Sequence, residues 1–272
     1  MKDKYRSWED AISWLKQQPD KQELVRSCFY DDPIIDCAQR YHQSSEWRAV
    51  NNLLSDLEKG RALDLGAGRG ISSYALAMDG WSVTSLEPDH SPIVGADAIR
   101  EIVQCCNCDI EVVEAFAEEL PFEDNFFDLL YGRAVMHHAK NLGEFCRQIF
   151  RVLKPGGTFL LTREHAVNNQ KDLQLFFDTH PLHSLYCGEY AYPLARYKKA
   201  LTVSGLSIRK TFAPYDSNIN LFPRNQDELR KKIGNKLKIN IPQMLFDYLI
   251  IPLLNFRDKS PGRLYSFFGC KP

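Results

Sequence analysis

The stretch Ala62–Gly70, ALDLGAGRG, decides the architecture. A short apolar run, interrupted only by Asp64, ends in Gly66-Ala67-Gly68-Arg69-Gly70 and leads into ISSYALAMDG, whose apolar spacing is helical. Glycines placed between a strand and a helix let the chain turn tightly and let a ligand approach the main chain. The first turn of the helix adds unpaired N–H groups at the same place.

Working outward, WSVTSLEPD reads as a strand, SPIVGADAIREIVQ as a helix, and IEVVEA and FFDLLYGRAV as strands. LGEFCRQIFRVLKPGG follows as a helix stopped by Pro-Gly-Gly, and TFLLTREH as a strand. Strands alternating with helices of about ten to fifteen residues argue for βαβ units and a parallel sheet. The expected fold class is therefore α/β, a doubly wound Rossmann-like sheet. Upstream, Trp8, Ile12 and Leu15 recur at helical spacing, and so do Trp47, Val50, Leu53, Leu54 and Leu57, with Ser44 or Ser45 as N-cap and Gly60 as stop. Past His165 the alternation lapses: 192–206 reads as a helix, SIRKTFAP as a strand, and 215–261 as irregular, with Pro223, Pro242, Pro252 and Pro261. GRLYSFFGCKP suits a last strand. Because the final residues close the sheet, the expected organisation is an N-terminal helical cap over 1–59 and one domain over 60–272, with insertions at about 166–192 and 215–261.

A 272-residue chain with 44% hydrophobic and 25% charged residues and a net charge of −1 has no global field that would draw nucleic acid or an anionic membrane. The start, MKDKYRSWEDAISWLK, carries acidic residues and no apolar core, unlike a secretory signal. Met244–Phe256 is apolar but interrupted by Asp247, Pro252 and Asn255, too short to span a bilayer, and is expected as a buried or lid segment. The eight cysteines lack framework spacing, which fits a reducing cytoplasm. Cys105-Cys106-Asn107-Cys108 has no second pair at zinc-ligand spacing, so partly buried thiols and no metal site are expected.

Two details sharpen the glycine loop. A dinucleotide fingerprint requires G-x-G-x-x-G, but Ile71 stands where its third glycine belongs. Asp64, two residues before Gly66, would repel a pyrophosphate and suits a ligand carrying an ammonium group and a sulfonium charge. The next strand ends in Leu86-Glu87-Pro88, and a carboxylate about 20 residues beyond the loop can accept from both ribose hydroxyls. Ribose without pyrophosphate means a nucleoside.

Asp64–Gly70, Glu87, AEELPFEDNFFDLLYGRAVMHH and FCRQIFRVLKPGGTFLL together resemble the class I S-adenosylmethionine-dependent methyltransferases, of the kind that includes the ubiquinone and menaquinone C-methyltransferases. The likeness covers about Trp47–Thr162 and the ending Phe267–Pro272. It implies S-adenosyl-L-methionine as cofactor, S-adenosyl-L-homocysteine as product, and a sheet ordered 3-2-1-4-5-7-6 with the seventh strand antiparallel. Where the family often places an adenine-binding aspartate, this chain has Phe116, followed by Ala117 and Glu118. Adenine would then meet backbone near Ala117, the Phe116 ring, or an inward Glu118. The implied cofactor set is Arg40 and Tyr41 from a closing N-terminal helix, Asp64, Gly66, Ala67, Gly68, Glu87, Pro88, Phe116, Ala117, Glu118, Arg133 and His138.

Ligands of open α/β sheets sit beyond the carboxyl ends of the strands. Candidates for acceptor chemistry are therefore Arg133, His137 and His138 after the fourth strand and Arg163, Glu164 and His165 after the fifth. A base is needed for a hydroxyl acceptor, and His137, His165 and Glu164 are the catalytic candidates. The aromatic and histidine-rich run at 170–192, with His180, His183, Tyr186, Glu189, Tyr190 and Tyr192, is expected as a lid for a sugar or phenol-like small molecule. Oxygen is favoured as acceptor atom in a monomer or homodimer without nucleic-acid partner or stable membrane insertion. The rivals are a non-catalytic S-adenosylmethionine-binding module and an RNA or protein methyltransferase. The first keeps the loop and Glu87; the second is opposed by Gly132-Arg133-Ala134-Val135 where base amino-methylases carry Asn/Asp-Pro-Pro-Tyr.

Overall fold

The computed structural model describes residues 7–272. Four helices precede the sheet: α1 (Trp8–Lys16), α2 (Gln22–Ser27), α3 (Ile34–His42) and α4 (Ser45–Leu54). Ser44 caps α4 by accepting from Trp47 N–H. The helix stops at Leu54, short of the expected Gly60. That glycine instead brings the chain against β4: a Cβ there would lie 2.3 Å from Asp128 Oδ2.

The alternating part runs β1 (Arg61–Leu65), α5 (Ile71–Met78), β2 (Ser82–Leu86), α6 (Ala96–Cys106), β3 (Ile110–Val113), β4 (Phe127–Arg133), α7 (Leu142–Val152) and β5 (Leu153–Val167). After it come α8 (Gln170–Thr179), α9 (His183–Tyr186), β6 (Tyr192–Pro193), α10 (Leu194–Val203) and β7 (Ser207–Phe212). The chain ends with α11 (Asn218–Leu221), α12 (Gln226–Leu237), α13 (Gln243–Leu245), α14 (Ile251–Arg257) and β8 (Arg263–Cys270). The strand order is β3-β2-β1-β4-β5-β8-β7, and β8 runs antiparallel to both β5 and β7. This is the expected order, with the two-residue β6 pairing on β5 as an addition.

Strand alternation divides the core in two. Ala62, Leu129, Tyr131 and Leu160 pack beneath α3–α6, whereas Leu63, Leu65, Leu130 and Leu161 pack against α7 and α10. The two core faces leave a crevice at the carboxyl ends of the neighbouring strands β1 and β4, from which the chain departs to opposite halves of the sheet.

Three expectations are corrected. The 215–261 segment is helical, not irregular: Asn225 and Glu228 form a capping box for α12, and Pro252 opens α14 directly after a π-helical turn over Phe246–Ile250. Met244–Phe256 is not buried. Phe246 and Ile251 anchor it, but Met244, Tyr248 and Phe256 are 74%, 81% and 74% exposed. Cys106 and Cys108 are joined as a disulfide, where thiols were expected, because the αL turn at Asn107 brings them face to face. None of the helices among the described residues is long and apolar enough to cross a membrane.

Candidate active site

The loop after β1 turns on glycine backbone geometry. Gly66 and Gly68 have φ of 64° and 54°, in the left-handed region. A Cβ on Gly66 would meet Val135 Cγ2 at 2.4 Å, so the loop lies tight against the end of β4. At Gly68 a Cβ would find only Val94 O at 3.9 Å, leaving its other side open. Glu87 Oε2 accepts from Gly68 N at 2.8 Å and Oε1 from Asp89 N at 3.1 Å. Burial pushes the Glu87 carboxyl up to about 7 despite those two donors.

Above the loop lies a cavity of about 570 Å³, within the usual span for small-molecule and cofactor sites. Gly66, Ala67, Gly68, Glu87, Pro88, Phe116, Ala117, Glu118, Arg133, His137, His138 and His165 line it. Phe116 covers the rim, 60% exposed. Glu118 turns to the following loop, accepting from Lys140 N at 2.8 Å.

Four residues of the expected set do not line this cavity. Asp64 points to the opposite face of the sheet, where Oδ2 accepts from Ser72 and Ser73 hydroxyls at 2.7 and 2.6 Å and Oδ1 is buried without a partner. Burial raises its carboxyl to about 6. Strand parity is the reason: Asp64 shares a side with Ala62, beneath α5. Tyr41 is fully buried with its hydroxyl 3.0 Å from that of Tyr131, and Arg40 pairs with Asp31 at 2.6 Å. Glu164 is fully buried as well. It accepts from the N–H groups of Val135, Met136 and His137 and holds His137 Nδ1 at 2.7 Å, so these contacts orient the loop.

The N-terminal segment does close the cavity, through other residues. Trp8, Leu15, Leu24, Cys28, Phe29 and Tyr30 form one wall. Arg69, within the glycine loop, donates to Phe29 O at 2.8 Å and Asp31 O at 3.0 Å, tying the two segments together. Trp8 packs against Tyr186 of α9 at a tilt of 47°, with ring centroids 4.5 Å apart. Leu15, Val25, Val94 and Leu182 complete one apolar cluster drawn from three distant parts of the chain. Arg133 reaches down to Glu46, with Nε and Nη2 at 2.7 and 3.0 Å from its oxygens, and Arg163 comes within 3.7 Å of the same carboxylate. Glu46 is fully buried; no signal short of the fold places it under two arginines.

The other end of the cavity is a histidine cluster around Glu189. Positive φ at Ala134 (55°) and Arg163 (62°) bends the ends of β4 and β5, and the β5–β8 register shifts between Leu161 and Glu164. These departures turn His137 and His165 to a common point. His137 Nε2 lies 3.5 Å from Glu189 Oε2, and the Nε2 atoms of His138 and His180 lie 3.9 Å from Glu189 oxygens. Tyr186 donates to Glu189 Oε1 at 2.6 Å. Burial disfavours a charged His137, but the Glu164 and Glu189 carboxylates outweigh it and raise that group to about 9. Burial and the His137 charge lower His165 to about 3.

The comparisons agree with this geometry. Residues 63–161 match the family model described as a methyltransferase domain. The chain is 33% identical over 129 residues to the ubiquinone/menaquinone biosynthesis C-methyltransferase UbiE of Vibrio cholerae, covering 46% of this chain and 48% of that protein. The chain thus spans about half the length of the curated relatives it matches. A phosphoethanolamine N-methyltransferase of Haemonchus contortus, solved with S-adenosylhomocysteine, superposes with a TM-score of 0.61 at 19% identity over 98% of this chain and 61% of that one. The [4+2]-cyclase SpnF shares the fold of the methyltransferase domain too, with a TM-score of 0.56 at 18% identity over 87% and 82% of the two chains.

Proposed function

We propose that the chain is an S-adenosylmethionine-dependent methyltransferase acting on a small polar acceptor, with a hydroxyl oxygen as the favoured atom. One observation carries the proposal: one cavity is lined both by the Gly66–Gly68 backbone and Glu87, which suit a nucleoside, and by the polar group His137, His165 and Glu189. Phe116 and Ala117 would face the adenine, and Glu87 the ribose. When bound, S-adenosylmethionine supplies a methyl group on a good leaving group, so the protein's task is alignment and, for a hydroxyl, taking up its proton. His137 and His165 are the residues placed to meet that hydroxyl. The wall made by Trp8, Tyr30 and Tyr186 supports a small acceptor over a macromolecular one, since it covers the polar end.

The test has two stages. S-adenosylhomocysteine should raise the melting temperature and NAD should not; no shift with S-adenosylhomocysteine overturns the proposal. Incubation with cofactor labelled at the methyl group and a metabolite extract should then yield a labelled small molecule. Label recovered only in protein or RNA would favour the macromolecular reading. Cofactor binding without any labelled product would favour a non-catalytic module, a reading that SpnF's shared fold keeps distinct from the domain match, because one fold serves several chemistries.

A further inference from the structure

We propose that His137, His165 and Glu189 bind one first-row divalent metal ion at the β4–β5 end of the cavity. One donor atom from each lies within 4.8 Å of the other two, and His137 Nε2 and Glu189 Oε2 are 3.5 Å apart. Ligands at about 2.0–2.1 Å from a tetrahedral ion sit roughly 3.4 Å from each other. One pair already has that spacing, and side-chain rotations of about an ångström bring in the third. Two histidines and one carboxylate leave a position open, the pattern of reactive rather than purely structural metal sites.

The surroundings fit a metal in two further ways. The outward nitrogen of each imidazole is fixed by an acceptor: His137 Nδ1 by Glu164 at 2.7 Å and His165 Nδ1 by the carbonyl of Gly262 at 2.8 Å. A carbonyl can only accept, so His165 carries its proton on Nδ1 and turns the Nε2 lone pair inward. The second is charge. Glu189 Oε2 is buried without a hydrogen-bond partner, and among the described residues only histidines come within ion-pair distance of Glu189 or Glu164. Once His137 gives up its proton to act as a ligand, the two buried carboxylates leave a double negative charge that a divalent ion balances in place of that proton. An ion there would acidify a hydroxyl at its open position in place of direct proton uptake by the two histidines, whose inward nitrogens it would occupy; that use rests on the O-methylation proposed above, whereas the binding site does not.

The test uses the full chain without a histidine tag, stripped with EDTA and titrated with Zn²⁺ and Co²⁺ by calorimetry. One equivalent should bind with micromolar affinity or better, and Co²⁺ should show d–d absorption of nitrogen and oxygen ligation. Glu164→Gln, which weakens the contact orienting His137 together with the three backbone hydrogen bonds to the same carboxylate, should weaken binding about 10- to 100-fold. His165→Ala and Glu189→Gln should weaken it further, with S-adenosylhomocysteine binding retained as the check on folding. The proposal is overturned if no stoichiometric binding occurs, which would assign the positive charge to a protonated His137. It is equally overturned if Co²⁺ gives thiolate charge-transfer bands, which would place the metal on cysteines. Should the variants not fold, the wild-type stoichiometry and Co²⁺ spectrum decide the matter alone.

Discussion

Replacing Glu87 by glutamine probes the nucleoside end most directly. Each carboxylate oxygen already accepts one backbone N–H, from Gly68 and Asp89, and retains a lone pair for a ribose hydroxyl. Two hydrogen bonds to a charged acceptor contribute about 1.5–3 kcal/mol each, and a neutral one about 0.5–1.5. The amide keeps one accepting oxygen, while its NH₂ faces a backbone donor and accepts nothing. The predicted loss is about 2–4 kcal/mol, or ~30- to 1000-fold in affinity for S-adenosylhomocysteine. Titration calorimetry at pH 8 measures it, with an unchanged fold checked by circular dichroism. The same carboxyl adds a pH signature. Its group is raised to about 7 by burial, and the hydroxyls donate to the ionised form. Wild-type affinity should therefore be full above about pH 7 and fall about tenfold per unit below it, while E87Q gives a flat profile. A variant within threefold of wild type, or a wild-type profile flat from pH 6 to 8, refutes the reasoning.

Other predictions concern the supports of the site. Gly66→Ala combines a φ of 64° with a Cβ 2.4 Å from Val135 Cγ2, so it should cost about 1–3 kcal/mol and abolish the S-adenosylhomocysteine thermal shift. A retained shift would show that the loop tolerates the methyl. Glu46→Ala leaves Arg133 and Arg163 buried beside each other, and urea unfolding should show a loss of about 3–5 kcal/mol; less than 1 would mean that water enters. Asp64 has a folded-state pKa raised to about 6, so its favourable contribution is whole below about pH 4 and lost as pH rises through 6. D64N should accordingly be of order 2 kcal/mol more stable than wild type at pH 8 and no more stable at pH 4. Equal stabilities at pH 8 would place the charge in water. Tyr41→Phe should leave cofactor affinity unchanged, since Tyr41 packs behind the cavity wall against Tyr131; a tenfold loss would restore it to the closure.

The sheet was legible because parallel strands and their crossover helices leave periodic marks, and the loop because glycine and Glu87 are needed at fixed offsets. What escaped depends on direction and distance. Asp64 sits at the expected place, but its side chain goes to the α5 face, a matter of pleat parity that motif spacing does not encode. Glu189 was grouped with a lid, yet its partners His137 and His165 are joined to it only by the bends at Ala134 and Arg163. Non-glycine residues at positive φ carry no compositional signal. The apolar run Met244–Phe256 misled for a related reason: hydrophobicity reports the possibility of burial, and only packing partners realise it.

The wall around Trp8 has a consequence for how the molecule is made. Residues 8–30 leave the ribosome before any strand exists, yet their apolar partners are Val94, Leu182 and Tyr186. Loop closure over such a span is slow, so this segment must wait while the sheet assembles. A segment made before the sheet is then docked after it. A chain halted near residue 180 would hold β1–β5 with α1 still undocked, open to a protease that the finished protein resists. Closure of this wall would thus report that synthesis has passed Tyr186.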